Sequence, residues 1–126
     1  MIVADTDVLI DALRGHEPSA SRVIGGLRDG TLVTTSITVF ELQSGGRSEH
    51  EHEVIGTLLA AVSILPFDER AGHQAASCRR ELESRGVTVG MGDYLIAGIC
   101  LSHGASLLTR NRKHFDRIPN LIIADL

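Results

Sequence analysis

Three carboxylates in this chain have the residue type and spacing to hold a divalent cation: Asp5, Glu41 and Asp93. Asp5 ends the short apolar run Ile2-Val3-Ala4, and Thr6-Asp7-Val8-Leu9-Ile10 follows it, which reads as a buried strand handing over to a helix. Glu41 lies in a helical stretch opened by Ser36, directly after the β-rich segment Thr31–Thr35. Asp93 opens the most hydrophobic helical stretch, after the glycine-punctuated loop Gly90-Met91-Gly92. In an open parallel sheet, residues that follow the strands converge on one rim, where ligands bind. Acids 36 and 52 positions apart then share an address. Hard cations such as Mg2+ and Mn2+ take carboxylate and water oxygens, and an ion held this way activates water and steadies charge on a phosphoryl group. Without one, two unit charges about 4 Å apart repel by roughly 4 kcal/mol at an effective dielectric of 20.

Each acid also has a purely structural reading. Asp93 stands where an N-cap belongs, a role worth about 1 kcal/mol. Glu41, between Phe40 and Leu42, suits an exposed helix position. Asp5 is harder to explain away, because an unpaired carboxylate in an apolar run is expensive. Asp7 reads as a first-turn acid favoured by the helix dipole, and Asp68 as an ordinary cap. His50 and His52 are two apart in Ser48–Glu53 and would point to different sides of a helix, so that stretch is a solvated first turn. Ser36, Ser44 and Ser77 lack a nucleophile-elbow context, and Gly90 and Gly92 lack phosphate-loop spacing. Arg110, Arg112, Lys113, His114 and Arg117 make the one dense basic stretch, fit either for a phosphate backbone or for a solvated surface helix.

Positioning these groups requires strands of four or five residues alternating with amphipathic helices. Strands are expected at residues 2–5, 31–35, 63–67, 105–109 and 121–124, with helices between them, the one after Phe67 capped by Asp68. This predicts a three-layer α/β/α sandwich around a central, mainly parallel sheet of about five strands, in a single domain over residues 1–126. Hydrophobic residues make up 43% and aromatics 3%, so the core must be aliphatic. Cys78 and Cys100 fall on apolar helix faces and read as small core residues rather than as disulfide or zinc partners. No targeting signal or membrane-spanning run stands out, which makes cytoplasmic the expected location. The net charge of −4 counts against non-specific nucleic-acid binding and requires any such role to rest on a local patch or on bound metal.

Assembled, these residues resemble the PIN-domain ribonucleases, and within them the VapC toxins of toxin–antitoxin pairs. The matching stretches are Asp5-Thr6-Asp7-Val8-Leu9-Ile10, Ser36-Ile37-Thr38-Val39-Phe40-Glu41-Leu42, Gly92-Asp93-Tyr94-Leu95-Ile96-Ala97 and Leu108-Thr109-Arg110-Asn111-Arg112-Lys113-His114-Phe115. The resemblance implies a PIN-like fold and a Mg2+-dependent endoribonuclease, with Mn2+ able to substitute. It also implies a homodimer, an RNA substrate and a cognate VapB-like antitoxin whose tail covers the acidic pocket. Asp5, Glu41 and Asp93 match the family's metal-site acids: Asp5 and Asp93 to bind the ion, Glu41 to hold or orient a water. Where the family commonly has a fourth acid before Phe115, this chain has His114, and Asn111, His114 and Asp116 are the residues that could compensate. Two rival readings stay open. One is a non-catalytic acidic module for a cation or a basic partner peptide. The other is a phosphomonoester hydrolase, suggested by Asp5-x-Asp7 but weakened because Lys113 is the sole lysine.

Overall fold

The computed structural model describes all residues, 1–126. The chain runs β1 (Ile2–Ala4), α1 (Thr6–Leu13), α2 (Ser19–Asp29), β2 (Leu32–Thr35), α3 (Ser36–Gly45), α4 (Glu49–Ala61), β3 (Ser63–Leu65), α5 (Glu69–Ser84), α6 (Met91–His103), β4 (Ser106–Leu108) and α7 (Arg112–Phe115). The four strands form one sheet in the order β3-β2-β1-β4, every pairing parallel. In register, Val3 lies beside Val33 and Leu107, and Ala4 beside Leu108.

The period of two along each strand builds the layers. Val3, Val33 and Leu107 pack into one cluster with Cys78, Leu82, Ile96, Ala97, Cys100 and Phe115 from α5, α6 and α7. Ala4, Leu32 and Leu108 face the other way and join Val8, Leu9, Val23, Leu42 and Ile55 from α1 to α4. Both cysteines are buried and unpaired, as small core residues. α5 and α6 pack very closely, because Gly98 carries no side chain: a Cβ there would lie 2.5 Å from the Ala71 carbonyl oxygen. No helix is long and apolar enough to cross a membrane.

The structure corrects the expected fold at three places. The sheet has four strands rather than five, since residues 121–124 contribute only an isolated parallel bridge between Ile123 and Leu107. Pro119 precedes them, Asn120 turns the chain through a left-handed φ of 68°, and β4 has ended by Leu108, so little ladder is available. The second correction concerns α6, which starts at Met91 with extended Gly90 as its N-cap; Asp93 is therefore the third helical residue, not the cap. The third is that Thr35, not Ser36, caps α3, accepting the Thr38 N–H at 3.1 Å. Ser36 instead accepts the Phe67 N–H and ties α3 to the end of β3. Asp68 caps α5 as expected, and Ser48 caps α4.

Candidate active site

Parallel strands bring the candidate acids to the carboxyl rim of the sheet. Asp5 follows β1 directly, and its own N–H is held by the Leu108 carbonyl at 2.8 Å. Its side chain is 7% exposed. Oδ1 accepts the Thr6 N–H at 2.8 Å, which makes Asp5 the cap of α1 as well, and Oδ2 accepts the Thr109 hydroxyl at 2.7 Å. Thr109 is itself fixed by the Asn111 N–H, which donates to its Oγ1 at 2.9 Å. Burial pushes the Asp5 carboxyl up to about 7, opposed by the Thr109 and Thr6 hydrogen bonds and reinforced by the charges of Asp7 and Asp93.

Glu41 and Asp93 stand on neighbouring helices. Glu41 Oε1 accepts the Thr6 hydroxyl at 2.7 Å, so the residue after Asp5 links the first strand end to α3. Its Oε2 lies against Gly92: a Cβ at that glycine would sit 3.2 Å from it. The missing side chain leaves the space in which Glu41 meets the start of α6, next to Asp93. Asp93 is partly exposed, and its Oδ2 lies 3.3 Å from His114 Nδ1. The three acids are thus neighbours on one rim. No three His, Cys, Asp or Glu side chains, however, are gathered so as to enclose an ion by themselves. Mg2+ seldom asks for that: it keeps several waters and is commonly bound through one or two carboxylates. The donors present are carboxylate oxygens, one of them on an acid whose carboxyl is raised chiefly by burial and further by its acidic neighbours, and they fit such an ion.

Several positioning residues were invisible in the sequence. Thr6 and Thr109 orient Glu41 and Asp5, yet a threonine after a strand carries no signal of its own, and Thr109 is 104 positions from its partner. Asp7 does more than favour a helix dipole. Both its oxygens receive the Arg110 N–H, at 3.2 and 3.4 Å, and burial raises its carboxyl above the usual range against the pull of Arg110. One turn on, buried Asp11 forms an ion pair with Arg110, its Oδ2 2.9 Å from Nε. The acids of α1 therefore pin the segment that carries Thr109. Arg110 is spent on that pairing, whereas Arg112, Lys113 and Arg117 are exposed and lie on and just beyond α7. Asp116 is exposed, and its N–H closes the short helix onto the Arg112 carbonyl. His50 and His52 are exposed at the start of α4, with His52 Nδ1 2.9 Å from Gln43 Oε1. A groove of about 310 Å³ runs from Glu41 between α1 and α4, lined in part by Ile10, Leu13, Leu42 and Val54.

With a parallel four-stranded sheet and acids at its carboxyl rim, this chain belongs to the PIN domain family, whose profile matches residues 2–121. Its relatives are VapC proteins. It is 32% identical over 124 residues to Ribonuclease VapC2 of Rickettsia felis, covering 94% of this chain and 92% of that one. It is 30% identical over 125 residues to the tRNA(fMet)-specific endonuclease VapC of Salmonella typhimurium, covering 96% and 94%. Among solved structures, VapBC2 from Rickettsia felis bound to a DNA fragment from its promoter superimposes with a TM-score of 0.90 at 28% identity, over 100% of this chain and 99% of that one.

Proposed function

We propose that this chain is a metal-dependent endoribonuclease acting as the toxin of a VapBC-type pair, with RNA as substrate and a VapB-like antitoxin as partner. The observation that carries the reading is the rim itself: Asp5, Glu41 and Asp93 come from three separate elements and are held together by Thr6, Thr109 and the gap at Gly92. Asp5 and Asp93 are the ion's ligands in this reading, Mg2+ by preference of the carboxylates and Mn2+ as its substitute. A divalent ion there supplies charge to neutralise a phosphodiester and acidity to a water.

The chain's own groups do the rest. Thr6 donates to Oε1 of Glu41 and leaves Oε2 to face the opening beside Gly92, where it can accept a proton from an incoming water. Thr109 and the Thr6 N–H fix both oxygens of Asp5, so its orientation is set before any ligand arrives. Arg112, Lys113 and Arg117 give the same rim a cationic flank for the RNA backbone, which answers the chain's net negative charge locally. The antitoxin's seat in this reading is the groove beside α1 and α4, where Ile10, Leu13, Leu42, Val54 and Ile55 offer apolar contact and Glu41 and Glu51, alongside Arg14 and His50, offer polar partners. Two copies of the chain form the active assembly, a point that sedimentation of the purified protein decides.

The test is cleavage. Asp5→Asn and Asp93→Asn abolish Mg2+- or Mn2+-dependent cutting of RNA while circular dichroism stays unchanged. Undiminished cleavage in both variants contradicts the assignment, and metal binding without cleavage of any RNA favours the non-catalytic module instead.

A further inference from the structure

Residues 109–111 lie between β4 and α7 and belong to neither, so neither a strand ladder nor a helix fixes them. Yet Thr109, in that gap, donates to the buried carboxylate of Asp5, and the Asn111 N–H holds the Thr109 hydroxyl in turn. The residue between them, Arg110, is gripped at both ends by one face of α1. Its backbone N–H faces the Asp7 carboxylate at 3.2 and 3.4 Å, and its Nε lies 2.9 Å from Asp11 Oδ2. Asp7 and Asp11 are four positions apart, which puts both on the same side of the helix.

Stability alone does not account for the Asp11–Arg110 pair. The Arg110 side chain is 53% exposed and that of Asp11 12%, and an ion pair so open to water adds little to the folded state. Phosphate binding does not account for it either: the guanidinium is engaged on Asp11, while the charges of Arg112 and Lys113 stand exposed on α7. What the pair does is close a ring. Asp5 caps α1, α1 carries Asp11, Asp11 holds Arg110, and Arg110 adjoins Thr109, which returns to Asp5.

We infer that Asp11 and Arg110 are positioning residues, whose ion pair holds the Thr109 hydroxyl on Asp5 and so sets the turnover of the acidic rim without touching the RNA. A displacement of about 1 Å at a reacting group costs on the order of 100-fold in rate, so even a partial slackening of the ring is measurable. The inference rests on the nuclease reading above and goes beyond it by adding two residues outside the acid cluster, with the step they govern.

The experiment is steady-state cleavage by the full chain, using whichever of total tRNA or a random-sequence RNA pool the wild type cuts, alongside hydrogen exchange of the Asn111 amide. Asp11→Ala and Arg110→Ala each lower kcat about tenfold, leave KM within about twofold and melt near the wild-type temperature. The double variant loses no more than either single one, and Arg110→Lys, which keeps a charge for Asp11, recovers part of the loss. Exchange of the Asn111 N–H, which reports the Thr109 contact, quickens in both alanine variants. A raised KM with unchanged kcat in Arg110→Ala, together with tighter RNA binding in Asp11→Ala, overturns the inference and makes Arg110 a phosphate contact. Full activity in both alanine variants overturns it too and leaves the nuclease reading standing. A wild-type chain that cuts neither RNA overturns both.

Discussion

At the scale of single residues, Asp5 concentrates the tension of the site. Its carboxyl is buried among other acids and raised to about 7 from an ordinary value of 3.8. A group raised on folding favours the native state while protonated. The contribution of Asp5 to the stability of the metal-free protein is therefore fully present below about pH 4, is lost as pH rises from 4 to 7, and stays absent above that. Asp5→Asn removes the charge and should raise stability at pH 8 by roughly 1–3 kcal/mol, with no gain at pH 4. Thermal melts of the two proteins at both pH values check this, and equal melting temperatures at pH 8 would count against a strained carboxylate. Added divalent cation should cancel the difference by favouring ionised Asp5 in the wild type. Asp5 was legible from its sequence because a carboxylate ending an apolar run needs an explanation. Thr6, Thr109 and Arg110 were not: hydroxyl and cationic side chains declare their partners only once distant segments meet.

At the scale of elements, α6 shows where the sequence misleads. Gly90-Met91-Gly92 reads as a loop because glycine disfavours helix, yet Met91 and Gly92 already belong to the first turn. Gly92 is there for the space it leaves beside Glu41 rather than for its backbone freedom, since its φ is not positive. The consequence is a separable effect of Gly92→Ala. Helix propensity gains about 0.5–1 kcal/mol, and the nearest atom is the end of a flexible side chain, so the melting temperature should hold or rise slightly. Glu41 must move by a few tenths of an ångström or more, and cleavage should fall about tenfold. Parallel melting and cleavage assays test the split; full activity in Gly92→Ala would show that the position of Glu41 is not critical. The last segment misleads in the opposite direction. Leu121–Ala124 has strand-like composition, but Pro119 and the turn at Asn120 bring it to β4 for only one bridge.

At the scale of the whole molecule, the layered architecture was legible because it depends on periodicity. Strand positions alternate between two apolar clusters, and helix stripes close each face without needing any specific pairing. Convergence of the acids followed from that topology alone, since a parallel sheet gathers its strand ends whatever their distance in sequence. The detailed side-chain arrangement on the rim did not follow, because it depends on helix starts and hydroxyl contacts worth only about 1 kcal/mol each. Net charge was a poor guide for the same reason: it averages an acidic rim with the cationic flank at α7. The most direct measurement is an anomalous difference map from crystals soaked in Mn2+ near pH 7.5. The expected result is a peak bounded by the Asp5 and Asp93 carboxylates, absent in Asp93→Asn. A map with strong Mn2+ peaks elsewhere and none on this rim would contradict a metal-dependent nuclease built on these acids.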